Sequence, residues 1–297
     1  MGALLLDRWL GEPQRWHPLE RFGALALAAE RRLYRHSRRR GVLLLCLLVL
    51  PGVGIAGVLT WAPYAWVLEL FLLYLAIGGR SLGEHARAVA AALGDADLPL
   101  ARRRVTALVS RDSEAMDAAA VSMATVESVL ENGNDAVTAA LFWYLVAGAP
   151  GVIGYRLVNT LDAMWGYRTE RYARFGWAAA RLDDLLNWVP ARLTALAYAL
   201  AGDTRHAFAC WLFQARAWKS PNAGPVMAAG AGALSVRLGG AAVYHGCIEQ
   251  RPVLGLGRVA TADDIEASIG LLERAVWLFV LAAGVITLGA TLFWGLL

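Results

Sequence analysis

Residues 42–68 read VLLLCLLVLPGVGIAGVLTWAPYAWVL, with no charge among them, and after Glu69 the apolar run resumes to Gly79. A helix needs ~20 apolar residues to cross the hydrocarbon core of a bilayer. The stretch is long enough for two spans. Trp61-Ala62-Pro63-Tyr64 marks the turn between them, since Trp and Tyr suit the membrane interface and Pro ends a helix. Just before the run stand Arg31, Arg32, Arg35, Arg38, Arg39 and Arg40. Such a cluster is a positive-inside signal and places both ends of this helical hairpin on the cytoplasmic side.

The composition agrees. The chain has 297 residues, 58% hydrophobic and 18% charged, with mean hydropathy +0.46. Soluble domains are usually about 45–50% apolar and ~25% charged. No linker or low-complexity stretch divides the chain. The expectation is one membrane-embedded domain over residues 1–297, all-α: a polytopic integral membrane helical protein with amphipathic cytoplasmic helices, in the cell (inner) membrane. The net charge of +4 rests on arginines, and Lys219 is the only lysine. Nucleic-acid binding needs a basic face with reading elements, and none is visible. Cys46, Cys210 and Cys247 lack metal-ligand spacing and imply no disulfide framework. His17, His36, His85, His206 and His245 lack ligand spacing too and read as structural or solvated. No basic start leads into a cleavable signal segment.

Outward from the hairpin, residues 80–135 read as amphipathic helices in or near water, with Arg102, Arg103 and Arg104 among them. Residues 136–155 are uncharged and just long enough to span, but Gly148-Ala149-Pro150-Gly151 interrupts them. A single crossing there would put Arg156, Arg168, Arg171, Arg174 and Arg181 outside, against the positive-inside rule. A broken or re-entrant segment keeps the polar blocks on either side of it on one face, and this is the expectation. Residues 223–236 are rich in Gly and Ala, which suits close helix packing. Residues 275–297 close the chain as a further span. The count lies between about four and six spans.

Three polar blocks stand between the apolar runs. The first runs from Ser110-Arg111-Asp112 to Glu127, Glu131, Asn132 and Asp135. Glu127, Glu131 and Asp135 are spaced i, i+4, i+8 and share one helix face if the helix continues that far. Carboxylates there suit Mg²⁺; a solvated face is the plain alternative. The second holds Asn159 and Asp162, three residues apart, and Asp183 and Asn187, four apart, with Arg181 near enough to pair with acid or phosphate. An interfacial loop anchored by its aromatics is the alternative here. The third is Lys219-Ser220-Pro221-Asn222-Ala223-Gly224, a turn and helix start whose free N–H groups suit an anion, or an ordinary turn.

At these blocks the chain resembles the adenosylcobinamide-phosphate synthase family, the membrane proteins of cobalamin biosynthesis of the CobD/CbiB type. The resemblance rests on Ser110-Arg111-Asp112, on Ala124-Thr125-Val126-Glu127-Ser128 with Glu131-Asn132, and on Gly148-Ala149-Pro150-Gly151. It continues through Tyr155-Arg156, Asn159-Thr160-Leu161-Asp162, Phe175-Gly176-Trp177, Arg181-Leu182-Asp183-Asp184, Pro190-Ala191-Arg192-Leu193 and Ser220 to Gly224. Leu6-Asp7-Arg8, Gly11-Glu12-Pro13 and His17-Pro18 also fit, so it covers nearly the full length. There are two departures. The family often has an acid a few residues after Ser-Pro-Asn-Ala-Gly, where this chain has Pro225-Val226-Met227. The family also usually opens on a longer apolar helix, so the first span is missing or belongs to a different start.

The resemblance implies ATP-dependent amide formation between a propionate carboxylate of adenosylcobyric acid and aminopropanol or its phosphate. The implied cofactors are ATP and Mg²⁺. The implied partners are the corrinoid, the aminopropanol (phosphate), the lipid bilayer and other late cobalamin-assembly membrane enzymes, with no nucleic acid. Carried onto this sequence, the catalytic set is Glu127, Glu131, Asp162, Asp183 and Asp184. Substrate or ATP falls to Arg111, Asp112, Asn132, Asn159, Arg181, Asn187, Ser220 and Asn222, and metal to Glu131, Asp135, Asp183 and Asp184. Two rivals stand beside this. A transporter also places polar residues in broken helices, but no internal repeat is visible. A non-catalytic membrane sensor of the same family needs the apolar spans but not the Asn-Thr-Leu-Asp and Arg-Leu-Asp-Asp blocks.

Overall fold

A computed structural model describes residues 1–13, 17–244 and 246–295. His245 and the last two residues of the final apolar run lie outside the described residues. The helices in chain order are α1 (Gly2–Leu10), α2 (Pro18–Leu33), α3 (Arg38–Leu59), α4 (Ala65–Ala76), α5 (Gly79–Gly94), α6 (Leu98–Val105) and α7 (Ala118–Gly133). A π-helical stretch (Asn134–Thr138) then leads into α8 (Ala139–Trp165), α9 (Tyr172–Phe175), α10 (Trp177–Leu186), α11 (Trp188–Ala201), α12 (Thr204–Gln214) and α13 (Ala223–Leu234). Three strands follow, β1 (Val236–Tyr244), β2 (Cys247–Gly255) and β3 (Arg258–Val259), and then α14 (Ala262–Gly295). The chain forms two compact units, each assembled from two separated segments: residues 1–80 with 135–190, and residues 81–134 with 191–297.

Four helical stretches among the described residues are long and apolar enough to cross a membrane: Arg38–Leu59, Ala65–Gly94, Ala118–Trp165 and Ala262–Gly289. They make this an all-α polytopic membrane protein. Its apolar side chains are exposed where a soluble protein would bury them. On α3, Leu47, Leu50, Ile55 and Val58 all face outward.

In the first unit, α3 and α4 are the two arms of the expected hairpin. Residues 60–64 form the turn, and Tyr64 takes left-handed backbone (φ 62°). Leu44, Leu45 and Val49 of α3 pack on Leu157, Val158 and Leu161 of α8. Between helices in a bilayer such contacts act through close van der Waals packing, since lipid is as apolar as leucine. A carboxylate is clasped at the edge of this core: Glu30 accepts from Trp165 Nε1 (2.9 Å), Arg171 Nε (3.1 Å) and Nη2 (2.8 Å), and the Tyr172 hydroxyl (3.0 Å).

The expected break in the third apolar segment is present and sharp. Helical backbone fails at Ala147 and Gly148, where Gly148 adopts φ 60°, ψ −150°. The chain then doubles back. The carbonyl of Asp135 accepts from the Tyr155 hydroxyl (2.9 Å) and Arg156 Nη1 (3.3 Å). A straight helix would hold residues 135 and 155 about 30 Å apart. Gly151 allows the two limbs to meet, since a Cβ there would run into the Trp143 carbonyl and the Ala147 side chain.

In the second unit, α13 is the Gly/Ala helix, buried along almost its whole length. A Cβ on Gly232 would meet the backbone of His206 and Ala207, and one on Gly230 would meet Leu130. The sheet, in order β2-β1-β3, was not foreseen from the sequence. β1 pairs antiparallel with β2 and parallel with β3. The register shifts between Gly239 and Gly240, both at positive φ. Glycine and alanine fill the middle of β1, so the alternation of apolar residues that marks a strand is faint there. The sheet is a local addition to a helical protein.

Candidate functional site

Two buried polar centres hold the residues expected to carry chemistry, one in each unit. In the second unit, α7 presents Glu127, Ser128, Glu131 and Asn132 along one wall of a cavity of about 270 Å³. Asp117 caps the start of this helix by accepting from Ala120 N (2.7 Å). Arg111, from the loop before α7, and Arg251, on β2, reach the same carboxylate. Glu127 Oε2 accepts from Arg111 Nη2 (2.5 Å) and Arg251 Nη1 (2.9 Å), while Oε1 accepts from Arg251 Nη2 (3.1 Å) and from Gly239 N at the bulge (2.7 Å). The three side chains are only 5–7% exposed. Two guanidinium groups on one carboxylate leave the triad with a net charge of +1.

Arg251 also donates from Nε to the Gly240 carbonyl (3.2 Å) and lies over the Trp218 ring (5.4 Å). Burial pulls its pKa down, but the charge and hydrogen bonds of Glu127 outweigh burial and hold it above the ordinary arginine value. Lys219 and Glu249 line the same cavity and pair at 2.5 Å, with Lys219 largely exposed. Asn132 donates to the carbonyl and hydroxyl oxygens of Ser128, both at 3.0 Å.

Other residues expected in this region have structural tasks. Asp112 donates its N–H to the Val243 carbonyl (3.0 Å) and accepts Gly246 N (2.7 Å), which ties it to the β1–β2 hairpin. Ser220 Oγ accepts from Asn222 N (3.3 Å) and Ala223 N (3.1 Å). These N–H groups at the start of α13 are therefore already met. Asn222 Oδ1 accepts from Arg192 Nη1 (2.7 Å), and Arg192 Nη2 donates to the Pro221 carbonyl (3.0 Å).

The polar centre of the first unit lies beside the doubled-back α8. Asp183 Oδ1 accepts from Asn159 Nδ2 and Oδ2 from Asn187 Nδ2, each at 3.1 Å. Asn187 Oδ1 accepts from the Tyr155 hydroxyl (3.1 Å), and Asn159 Oδ1 from Arg156 Nη1 (3.3 Å). The spacing of Asp183 and Asn187 thus brings them together, and Asn159 joins them from α8. Burial pushes the Asp183 carboxyl above its ordinary value; its two carboxamide bonds oppose the rise and neighbouring Asp184 adds to it. Asp184 is raised by burial too, against the pull of Arg181 and Arg168.

Adjacent positions on a helix point about 100° apart. Asp183 accordingly faces the carboxamides, while Asp184 forms a 3.6 Å, largely solvated pair with Arg181. Asp162 lies one turn beyond Asn159, half-buried, with its backbone carbonyl accepting from Gly166 N. Glu131 lines the cavity of the second unit, whereas Asp135 belongs to the first. Among the described residues, no three His, Cys, Asp or Glu side chains gather in a way that could hold a metal ion.

Arg251, Glu249 and Trp218 escaped the sequence reading because strand and loop positions far from α7 carry no spacing signal toward it. Tyr155, Arg156 and Arg192 were tied to the polar blocks only within the resemblance.

The family model described as CobD/Cbib protein matches residues 1–272. The cobalamin biosynthesis protein CobD of Stutzerimonas stutzeri is 59% identical over 291 residues, covering 96% of each chain. That of Chromobacterium violaceum is 55% identical over 287 residues, covering 93% of this chain and 92% of the relative. That of Mycobacterium tuberculosis is 41% identical over 281 residues, covering 92% and 89%. No solved structure matches.

Proposed function

The chain belongs to the CobD/CbiB family of cobalamin-biosynthesis proteins, and on that premise we propose that it is an amide-forming ligase, an adenosylcobinamide-phosphate synthase. It joins a propionate carboxylate of adenosylcobyric acid to aminopropanol or its phosphate at the expense of ATP. The observation that carries this reading is the cavity where two buried guanidinium groups share one carboxylate and Glu131 stands a helical turn away. A carboxylate is a poor acyl donor. Transfer of the γ-phosphoryl group of ATP to the carboxylate oxygen gives an acyl phosphate and ADP. The amine nitrogen then attacks the acyl carbon, the C–O bond to phosphate breaks, and the amine loses a proton.

Arg111 and Lys219 would offset phosphate charge in this cavity, and Glu131 would take the amine proton. In the first unit, Asn159, Asp162, Asp183 and Asn187 would orient substrate, with Arg181 and Asp184 on the solvated side of α10. Mg²⁺ takes one or two carboxylates and keeps water and phosphate oxygens as its other ligands. Glu131 suits that donor set, and Asp135, Asp183 and Asp184 are the further candidates; the bound ion would neutralise phosphate charge. The arginine-rich flanks of the spans support a site on the cytoplasmic face of the inner membrane.

The test is to incubate the purified protein with adenosylcobyric acid, ATP–Mg²⁺ and either amine, and to seek the amide by mass. Glu131→Ala and Asp183→Ala should stay folded and lose at least ~100-fold in turnover. Near-normal turnover by both would sink the residue assignment. No product with either amine, together with intact corrinoid binding, would favour a sensor.

A further inference from the structure

The carboxylate of Glu127 has no capacity left for chemistry. An ionised carboxylate offers about four lone-pair positions. Gly239 N, two nitrogens of Arg251 and one of Arg111 fill them. A general base or a metal ligand needs one of these positions open, so this geometry argues against the catalytic role that the family resemblance gave Glu127.

Arg111 is the opposite case. Its side chain is 6% exposed, yet among the described residues only one of its nitrogens has a protein partner, Nη2 on Glu127. A guanidinium carries five N–H groups. None of the other Arg111 nitrogens is sealed away from solvent, and Arg111 lines the cavity. Its remaining donors therefore open into that space. A desolvated cation with open donors is costly unless an anion or water meets it.

We infer that Arg111 is the group that binds an anion in this cavity, and that Glu127 and Arg251 are positioning residues that aim it. The two-point bond from Arg251 fixes the Glu127 carboxylate, the bulge amide of Gly239 fixes it further, and Arg111 is held from one edge with its other edge free. The cavity of about 270 Å³ has room for a phosphoryl group beside Arg111, and a larger phosphorylated ligand would extend beyond it. A phosphoryl group carries about −1.5 to −2 charges. The lining as a whole is neutral, with Arg111, Arg251 and Lys219 balanced by Glu127, Glu131 and Glu249, so the attraction for an anion is local to the open edge of Arg111. The ligand class is thus a phosphorylated molecule, held by its phosphoryl group, or free phosphate. The inference deepens the ligase reading and rests on it only for the reaction that follows binding.

The experiment measures orthophosphate binding to the full-length, detergent-purified protein by calorimetry, and repeats it with acetate. Saturable phosphate binding, tighter than acetate binding, is expected for the unaltered chain. Arg111→Gln should weaken it at least tenfold while the helical circular dichroism stays unchanged, because Glu127 keeps three of its four donors. Glu127→Gln should also weaken it. That sign is diagnostic, since removing a negative charge tightens anion binding if electrostatics alone matter. Arg251→Lys keeps the charge but loses the two-point bond; it should weaken phosphate binding and, in the amide assay, raise KM for the phosphate-bearing substrate more than it lowers kcat. If Glu127→Gln does not fold, Arg251→Lys carries the positioning test alone.

The inference is overturned if the unaltered chain does not bind phosphate or prefers acetate, if Arg111→Gln binds phosphate as well, or if a folded Glu127→Gln binds it more tightly. Amide formation with Arg111-independent phosphate binding would remove this inference and leave the ligase reading. Arg111-dependent binding without any amide product would do the reverse.

Discussion

Asp183 lies buried between two carboxamides that both donate to it, and burial still raises its pKa. In the folded chain it therefore keeps its proton to higher pH than in the unfolded chain, where a carboxyl titrates near 3.9. The stability that its neutral form supports is complete below that value and falls as pH rises through the raised one. Asp184 contributes with the same sign. Glu127 and Asp264, whose carboxyls are held below their ordinary value, act with the opposite sign, so the test is a difference: relative to Asp183→Asn, the unaltered chain should lose thermal stability in detergent as pH rises through the acid range, and an identical pH dependence of the two would refute it. Glu30 is a second buried carboxylate, 2% exposed, and it holds the indole N–H of Trp165. Glu30→Ala leaves that donor buried and unpaired, at a cost of about 1–3 kcal/mol for the indole alone. A melting temperature within a degree of the unaltered chain would contradict this.

At the scale of elements, two glycine devices shape the chain. Gly148 occupies backbone that only glycine adopts readily, and a Cβ there would touch nothing closer than Pro150 Cδ at 3.9 Å. The penalty for Gly148→Ala is therefore a backbone penalty, about 1–3 kcal/mol, and unfolding measurements should show it without loss of helix content. Gly232 is different, because backbone atoms of His206 and Ala207 stand where its Cβ would go. Gly232→Val should abolish recovery of folded protein, whereas Gly94→Ala, with open space around it, should be neutral or slightly stabilising. Equal recovery of Gly232→Val and Gly94→Ala would show that α13 does not depend on close approach.

At the scale of the whole molecule, the three cysteines provide a test of sidedness. Cys247 is exposed at the start of β2, Cys46 is half-buried in α3 and Cys210 is buried. β2 carries Arg251 and belongs to the same unit as Arg102, Arg103 and Arg104; the proposed cytoplasmic site requires that Cys247 face the cytoplasm. A membrane-impermeant maleimide should label Cys247 in inverted vesicles and leave it unlabelled in intact cells. Labelling in intact cells would place the cavity on the outer face and remove ATP as its partner.

The membrane class, the hairpin of α3 and α4, and the break at Gly148–Gly151 were all legible in the sequence. Each depends on a local property, either the length of an apolar run or residues that cannot continue a helix, and neighbours cannot overrule it. Part of each polar centre was legible too: i, i+4 spacing on one helix put Glu127 beside Glu131 and Asp183 beside Asn187. Only the tertiary structure brought Arg251 to Glu127, 124 residues away along the chain, and the Tyr155 hydroxyl to the Asp135 carbonyl. It also separated Asp183 from Asp184 by facing and gave every lone pair of Glu127 a partner. A sequence shows which residues can carry charge in a greasy chain. Which of those charges is spent on another side chain, and which is left open to a ligand, depends on partners that meet only when distant segments fold together.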